Sequence, residues 1–327
     1  MSVFKNGLLL RSLVVVLLPV LFTLCARLTS EVDGWGSLLP AMSVSFLLFV
    51  PLVMGILTTY FSKPERLTSN LYVAFMPWVP VLAVLVFTML LSLEGWACWM
   101  MAFPFFLGMS TLGGFVGRQL QRQRNNKVSI SLVVLLPFLI SPLEQWIGAI
   151  PGTYTADTYI DIQAPPAVIW KNVTRVREIP EKEDKGWLTR FLGFPRPVRA
   201  ELNYNGVGAY REAIFTNGLV FHETVQAYEE QRKMVFTIKA YPHEIPSTTM
   251  DKHIVIGGDY FDVLNGTYEL GRLDSNTCRL HLYSHFQLKT TFNFYAGLWG
   301  KWIMQDIQNN ILQVEKRRAE EEARPKS

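Results

Sequence analysis

Five stretches within the first 150 residues are almost free of charge, and they limit what this chain can fold into more than any other feature. They cover residues 8–26, 38–60, 71–93, 96–116 and 128–147. Each holds about 19–23 residues, and a helix of that length crosses the ~30 Å hydrocarbon core of a bilayer. Backbone groups in lipid have no water to bond, so such runs fold as helices. Between residues 12 and 117 the charged residues are Arg27, Glu31, Asp33, Lys63, Glu65, Arg66 and Glu94, all of them between runs. After Pro151 charges recur every few residues. The expectation is an α-helical membrane domain of about five transmembrane helices over residues 1–150, followed by an α+β domain over 151–327.

Loop charges give an expected orientation. Lys5 and Arg11 accompany the first run, Lys63 and Arg66 follow the second, and Arg118, Arg122, Arg124 and Lys127 follow the fourth. The positive-inside rule puts these in the cytoplasm, and with them the N-terminus. The first run reads as an uncleaved anchor, because no small-x-small site follows it and Leu24 before Cys25 is wrong for lipoprotein processing. If the fifth run crosses, the C-terminal domain lies outside a bacterial inner membrane. If that run, which holds Pro137, Pro142 and Glu144, only dips in, the domain is cytoplasmic. The run centres are nearly all apolar, whereas carriers place ionisable side chains there, so the spans read as an anchor and packing scaffold.

The net charge of +4 is small for 327 residues, and the basic residues do not gather on one face. Nucleic acid is not an expected partner. The three cysteines, Cys25, Cys98 and Cys278, form neither a disulfide framework nor a metal-ligand spacing. No cofactor is implied, because Walker, Rossmann, HExxH and nucleophile-elbow patterns are all missing.

The C-terminal half alternates with period two over 153–163, 199–204, 208–215, 218–229, 233–241, 260–272 and 277–289, each a strand expectation. A short strand at 253–256 is a further one. Pro165 or Pro166 opens a short helix to Val173, and residues 177–198 hold a short helix and a loop. Thr216-Asn217-Gly218 is a hairpin turn, since Asn-Gly accepts positive φ. A long helix over 294–324 closes the chain. Its apolar stripe is Tyr295, Trp299, Ile303, Ile307, Ile311 and Val314, and its last turns, 315–322, are charged all round and are expected in solvent.

These pieces carry a resemblance. Residues 153–320 resemble the SRPBCC superfamily, the START-like and polyketide cyclase/dehydratase-like domains. The similarity lies in "YIDIQAPPAVIWKNV", "GVGAYREAIFTNGLVFHETV", "GGDYFDVLNGTYEL" and "TFNFYAGLWGKWIMQDIQNNIL". It covers about half of the chain and is similar to bacterial members with N-terminal membrane spans. The resemblance implies a helix-grip fold, a curved antiparallel sheet around the last helix, and an apolar cavity for a lipid or other hydrophobic ligand. It implies no single reaction.

Glu223 is the most informative side chain, because it sits among Leu219, Phe221, Val225 and Ala227 on an apolar strand face. Two hairpin registers are open. A two-residue loop sets Glu212 opposite Glu223, a carboxylate pair suited to acid/base work. A three-residue loop sets Arg211 opposite Glu223, a structural ion pair. The first keeps Tyr210 and Ile214 on the apolar face and is slightly preferred. Tyr210, Phe221, Glu223, Tyr260, Tyr268, Trp299, Trp302 and Ile303 are the expected ligand-lining set. His222 points to the other face. His281 and His285 share an outer face with Tyr283, without metal geometry. Three functions follow: a membrane-tethered binding domain for a lipid or other hydrophobic ligand in transfer or sensing, a protein-interaction module with a vestigial cavity whose candidate surfaces are 242–259 and the charged end of the last helix, and a cyclase- or dehydratase-like enzyme using Glu223 and Glu212.

Overall fold

The computed structural model describes residues 2–29, 39–40, 42–123, 127–241, 257–258 and 260–324, with backbone only for 2–12 and 127–129. The chain divides into two compact units, Met1–Ile150 and Pro151–Ser327.

The N-terminal unit is helical. Its elements are α1 (Ser2–Thr29), α2 (Val50–Tyr60), α3 (Asn70–Phe75), α4 (Trp78–Leu90), α5 (Trp96–Arg122) and α6 (Lys127–Ile147). Three stretches among the described residues are long and apolar enough to cross a membrane: Asn70–Leu90, Trp96–Arg122 and Ile130–Ile147. Leu13–Thr29 and Ser45–Tyr60 are apolar but shorter. Of the five expected runs, three are thus of spanning length among the described residues. The third expected run, although of spanning length, carries a two-residue turn between α3 and α4, where Pro77 and Pro80 lack amide donors for the helical ladder. α6 stays helical through both Pro137 and Pro142.

Small residues let α2 and α5 meet backbone to backbone. A Cβ on Gly55 would collide with the Ser110 carbonyl, and one on Gly113 with the Leu52 carbonyl. The Thr59 hydroxyl donates across the same seam to the Gly114 carbonyl at 2.9 Å. Small residues at such a seam allow backbones to approach closely, as they do where helices associate in lipid. Two charged groups close off ends. The Arg27 guanidinium pairs with Glu94 and donates to the Leu93 carbonyl at 3.2 Å. The Glu144 carboxylate accepts from the Val44 and Ser45 amides at 2.6 and 2.8 Å. It thereby satisfies amides left open at the start of the π-helical turn Ser45–Phe49, which leads into α2.

The C-terminal unit begins with β1 (Gly152–Ile162), then α7 (Pro166–Thr174) and α8 (Trp187–Leu192). The strands β2 (Pro197–Leu202), β3 (Tyr210–Phe215), β4 (Val220–Glu229), β5 (Lys233–Lys239), β6 (Phe261–Arg272) and β7 (Cys278–Leu288) follow, and α9 (Asn293–Ala323) ends the unit. The expected strand at 253–256, with most of the segment 242–259, lies outside the described residues. All seven strands form one antiparallel sheet, ordered β1-β7-β6-β5-β4-β3-β2. It is a curved half-barrel with the last helix against it, a helix-grip layout. Register shifts between Val225 and Ala227 and between Val263 and Asn265 mark bulges, which bend a sheet locally.

β7 alternates strictly, with Cys278, Leu280, Leu282, Ser284, Phe286 and Leu288 inward. α9 packs on β1 and β7 and touches α7 and α8. Near its start Gly297 lies against the Tyr154 ring and Gly300 against Phe286, so the helix comes close to the sheet there. The buried residues of α9 are Gly297, Gln308, Asn310, Leu312, Val314, Glu315 and Ala319. This differs from the expected apolar stripe, of which Val314 alone is fully buried. The reason is polar pairing across the interface. The Gln308 amide donates to the Ala156 carbonyl and the Ser284 hydroxyl, and it accepts from Thr158. Asn310 binds the Lys185 amide and the Asp184 carboxylate, both at 2.7 Å.

The last turns of α9 also correct the reading of a solvent-borne tail. Glu315 and Ala319 are buried. Glu322 pairs with Lys171 at 2.8 Å. Arg318 donates to the carbonyls of Arg177 and Glu178. These partners lie on and just after α7, an element whose position against α9 the charge pattern does not reveal.

Candidate functional site

The β3–β4 turn decides what faces the interior. Thr216–Gly218 forms a three-residue loop, with Asn217 at φ 61° and Gly218 at φ 83°. The Phe215 amide donates to the Leu219 carbonyl at 2.8 Å, and from there Arg211 falls opposite Glu223 and Glu212 opposite His222. The slightly preferred two-residue register is therefore corrected. It keeps Tyr210 and Ile214 inside, but the observed one buries Ala213 and Phe215, with Phe215 edge-on to Phe221 at 4.7 Å between centroids. It also gives Glu223 a cation.

The corrections follow residue by residue. Glu212 and Tyr210 lie on the outer face, where the Tyr210 hydroxyl donates to Glu212 and meets His222. The two carboxylates do not share an inner face, so the Glu223/Glu212 acid/base pair does not form. Trp302 is half exposed and does not line the interior. Phe221, Tyr260, Trp299 and Ile303 are partly buried, and Phe221 packs between two apolar clusters. Tyr268 is buried. His281, Tyr283 and His285 line an open depression of about 390 Å³ on the outer face, with Thr155, Asp157 and Glu269. Among the described residues no three His, Cys, Asp or Glu side chains are grouped to hold a metal.

Inside the grip lies a cluster of four ionisable side chains, Arg211, Glu223, Tyr268 and Glu315, each no more than 3% exposed. Arg211 comes from β3, Glu223 from β4, Tyr268 from β6 and Glu315 from α9. The Arg211 Nη1 donates to Glu223 Oε2, and its Nε donates to the Thr174 carbonyl at 3.4 Å. The guanidinium lies 5.4 Å from the Phe236 centroid and 5.9 Å from that of Tyr268, within cation–π reach. Burial pushes the Tyr268 phenol up to about 12, with Arg211 opposing. Burial pushes the Glu223 carboxyl up, and the Arg211 charge pulls it back.

Glu315 differs from the other three. Neither of its carboxyl oxygens has a hydrogen-bond partner among the described residues. Burial raises its pKa to about 8, against the pull of Arg318, Arg211 and Arg177. At neutral pH it is therefore a protonated acid, able to donate one hydrogen bond and accept others. A carboxyl kept neutral by an apolar site is a recognised device for presenting an O–H donor in a water-poor interior. Sequence reading missed Arg211 as the settled partner and missed Glu315 altogether. The available signal was that Glu315 continues the Leu312 turn at i+3, on the side facing the sheet.

No protein-family profile matches the chain, and no curated protein does. Solved structures with similarity include truncated norcoclaurine synthase from Thalictrum flavum, at 11% identity and TM-score 0.30, covering 50% of this chain and 94% of that one. A START superfamily protein from Mycobacterium smegmatis matches at 11% identity and TM-score 0.35, covering 52% and 99%. A norcoclaurine synthase point mutant in complex with a transition-state analogue matches at 13% identity and TM-score 0.30, covering 51% and 96%. All three align with about half of this chain.

Two outcomes test the cluster. Arg211→Met leaves Glu223 buried without its cation and should cost about 3–5 kcal/mol in urea unfolding of the purified chain. Arg211→Met with Glu223→Leu should recover much of that loss, and a double variant as unstable as the single one contradicts the pairing. For Glu315, the folded acid keeps its proton up to about 8, while the unfolded one releases it near 4.5. Its contribution is thus fully present below pH 4.5, falls as pH rises from 4.5 to 8, and is constant above. The fall is at most about 1.4 kcal/mol per pH unit. In Glu315→Gln that slope should vanish, as read from urea midpoints across the window.

Proposed function

We propose that this chain is a membrane-tethered binding domain for a hydrophobic ligand with a polar end, acting in transfer or sensing. Glu315 is the observation that carries the reading. A carboxyl buried inside the grip, protonated at neutral pH and without a hydrogen-bond partner among the described residues, costs free energy unless something bonds it. A ligand hydroxyl, amide or carbonyl satisfies it. The Arg211–Glu223 pair and the Tyr268 phenol supply further polar contact at the same depth.

Tethering is supported by the three helices of spanning length and by the close α2–α5 seam, which suits an anchor. In this reading the apolar runs lie in a bacterial cytoplasmic membrane, with the basic loops and the N-terminus inside and the C-terminal unit outside. A reporter fused after Ser327 and active only in the cytoplasm would contradict that side. The enzyme reading through Glu223 and Glu212 loses its geometric basis, because Glu223 is joined to Arg211.

The deciding experiment isolates the full chain in nanodiscs without detergent exchange and identifies co-purifying molecules by mass spectrometry. The expected result is one hydrophobic species with a hydroxyl, amide or carbonyl group, near one per chain, depleted several-fold in Glu315→Leu. Wild type and variant carrying the same lipid profile as empty discs would overturn the proposal.

A further inference from the structure

The first three turns of α9 expose large apolar side chains on one side of the helix. Phe294 is 67% exposed, Leu298 49% and Trp302 50%, at spacings of four. Such a row on a water-soluble surface marks an interaction site. Its charge is one-sided, since residues 289–305 contain Lys289 and Lys301 and no acidic residue, the first being Asp306. Asp306 is already engaged by the Thr189 amide and hydroxyl, at 2.9 and 2.8 Å. Aromatic and leucine side chains flanked by lysine are the composition of a helix that lies in the headgroup region of a bilayer.

Chain connectivity points to the same occupant. α6 ends at Ile147 and β1 begins at Gly152. Five residue steps span at most about 18 Å. Gly152 pairs with Leu288 at the end of β7, and the Tyr154 hydroxyl donates to the Asn293 carbonyl at 3.1 Å. The exposed row therefore starts beside the strand end at which β1 begins, five residues after Ile147 in the chain. The β6–β7 turn around Leu273 lies at the opposite end of the sheet.

We infer that Phe294, Leu298 and Trp302 dock the C-terminal unit on the surface of an anionic phospholipid bilayer. The inference rests on the membrane-tethered reading above and adds the face by which the domain meets lipid. Docking there brings the start of α9 and the adjoining sheet edge to the lipid surface, where a hydrophobic ligand can pass between membrane and grip without crossing water.

The test uses the full chain, with native cysteines replaced by alanine, in nanodiscs of phosphatidylcholine and phosphatidylglycerol. A fluorophore is attached in turn at Leu298→Cys, Leu273→Cys and Leu139→Cys, the last on α6, and quenched by lipids carrying a nitroxide. The expected result is strong quenching at 139, little at 273, and at 298 at least twice the quenching at 273. Quenching at 139 with equal, weak quenching at 298 and 273 overturns docking and leaves the tether standing. Quenching at neither 139 nor 298 overturns the tether, and docking with it. A fluorophore at 298 that is blue-shifted yet unquenched means a protein covers the row, which also overturns the inference.

Discussion

A turn of three residues governs the interior of the C-terminal unit. Asn217 and Gly218 both adopt positive φ, and the loop they close sets Phe215 against Leu219. A strand shifted by one residue exchanges its two faces entirely. With this register Arg211, Ala213 and Phe215 point inward to meet Phe221, Glu223 and Val225, while Tyr210, Glu212 and His222 form their own outer cluster. The alternative would bury Glu212 beside Glu223 with no cation between them. Repulsion and desolvation would then act together, and the observed turn avoids both.

The second constraint is the polar inner face of α9. A helix held only by an apolar stripe can roll about its axis. Here Gln308 bonds Ala156, Ser284 and Thr158, and Asn310 bonds Lys185 and Asp184, so both rotation and position along the axis are defined. The same rotation turns Glu315 toward Arg211 and Tyr268 and leaves Phe294, Leu298 and Trp302 outside. One helix orientation thus creates both the unpartnered interior carboxyl and the exposed aromatic row. In the proposed reading, ligand recognition and membrane contact would both depend on the orientation of this one helix.

Much of the architecture was readable from residue pattern. Period-two alternation located the seven strands of the sheet to within a few residues, because one face of each is buried and the other is not. The Asn217-Gly218 dipeptide located the hairpin but not its register, since both loop lengths accept positive φ there and the two candidate faces were similarly apolar. The turn within the third apolar run was signalled by Pro77 and Pro80, and hydropathy alone hid it. The buried face of α9 was not legible, because Gln308, Asn310 and Glu315 read as solvent-side residues unless their partners on β1, β7 and the loop before α8 are known. Those partners are more than a hundred positions away in sequence for Asn310 and Gln308 on β1, so no local rule could supply them. Arg211 was legible as one of two options. Glu315 was not legible as a site residue.

In the proposed function, ligand recognition depends on Glu315 being a protonated acid inside the grip. Infrared difference spectroscopy of the full chain in nanodiscs, wild type minus Glu315→Gln, reads that proton directly. A protonated carboxyl band at neutral pH that disappears as pH rises through about 8 is the predicted result, with the band shifting when the co-purified molecule is removed. An ionised carboxylate band at neutral pH, unchanged by removal of that molecule, would contradict it.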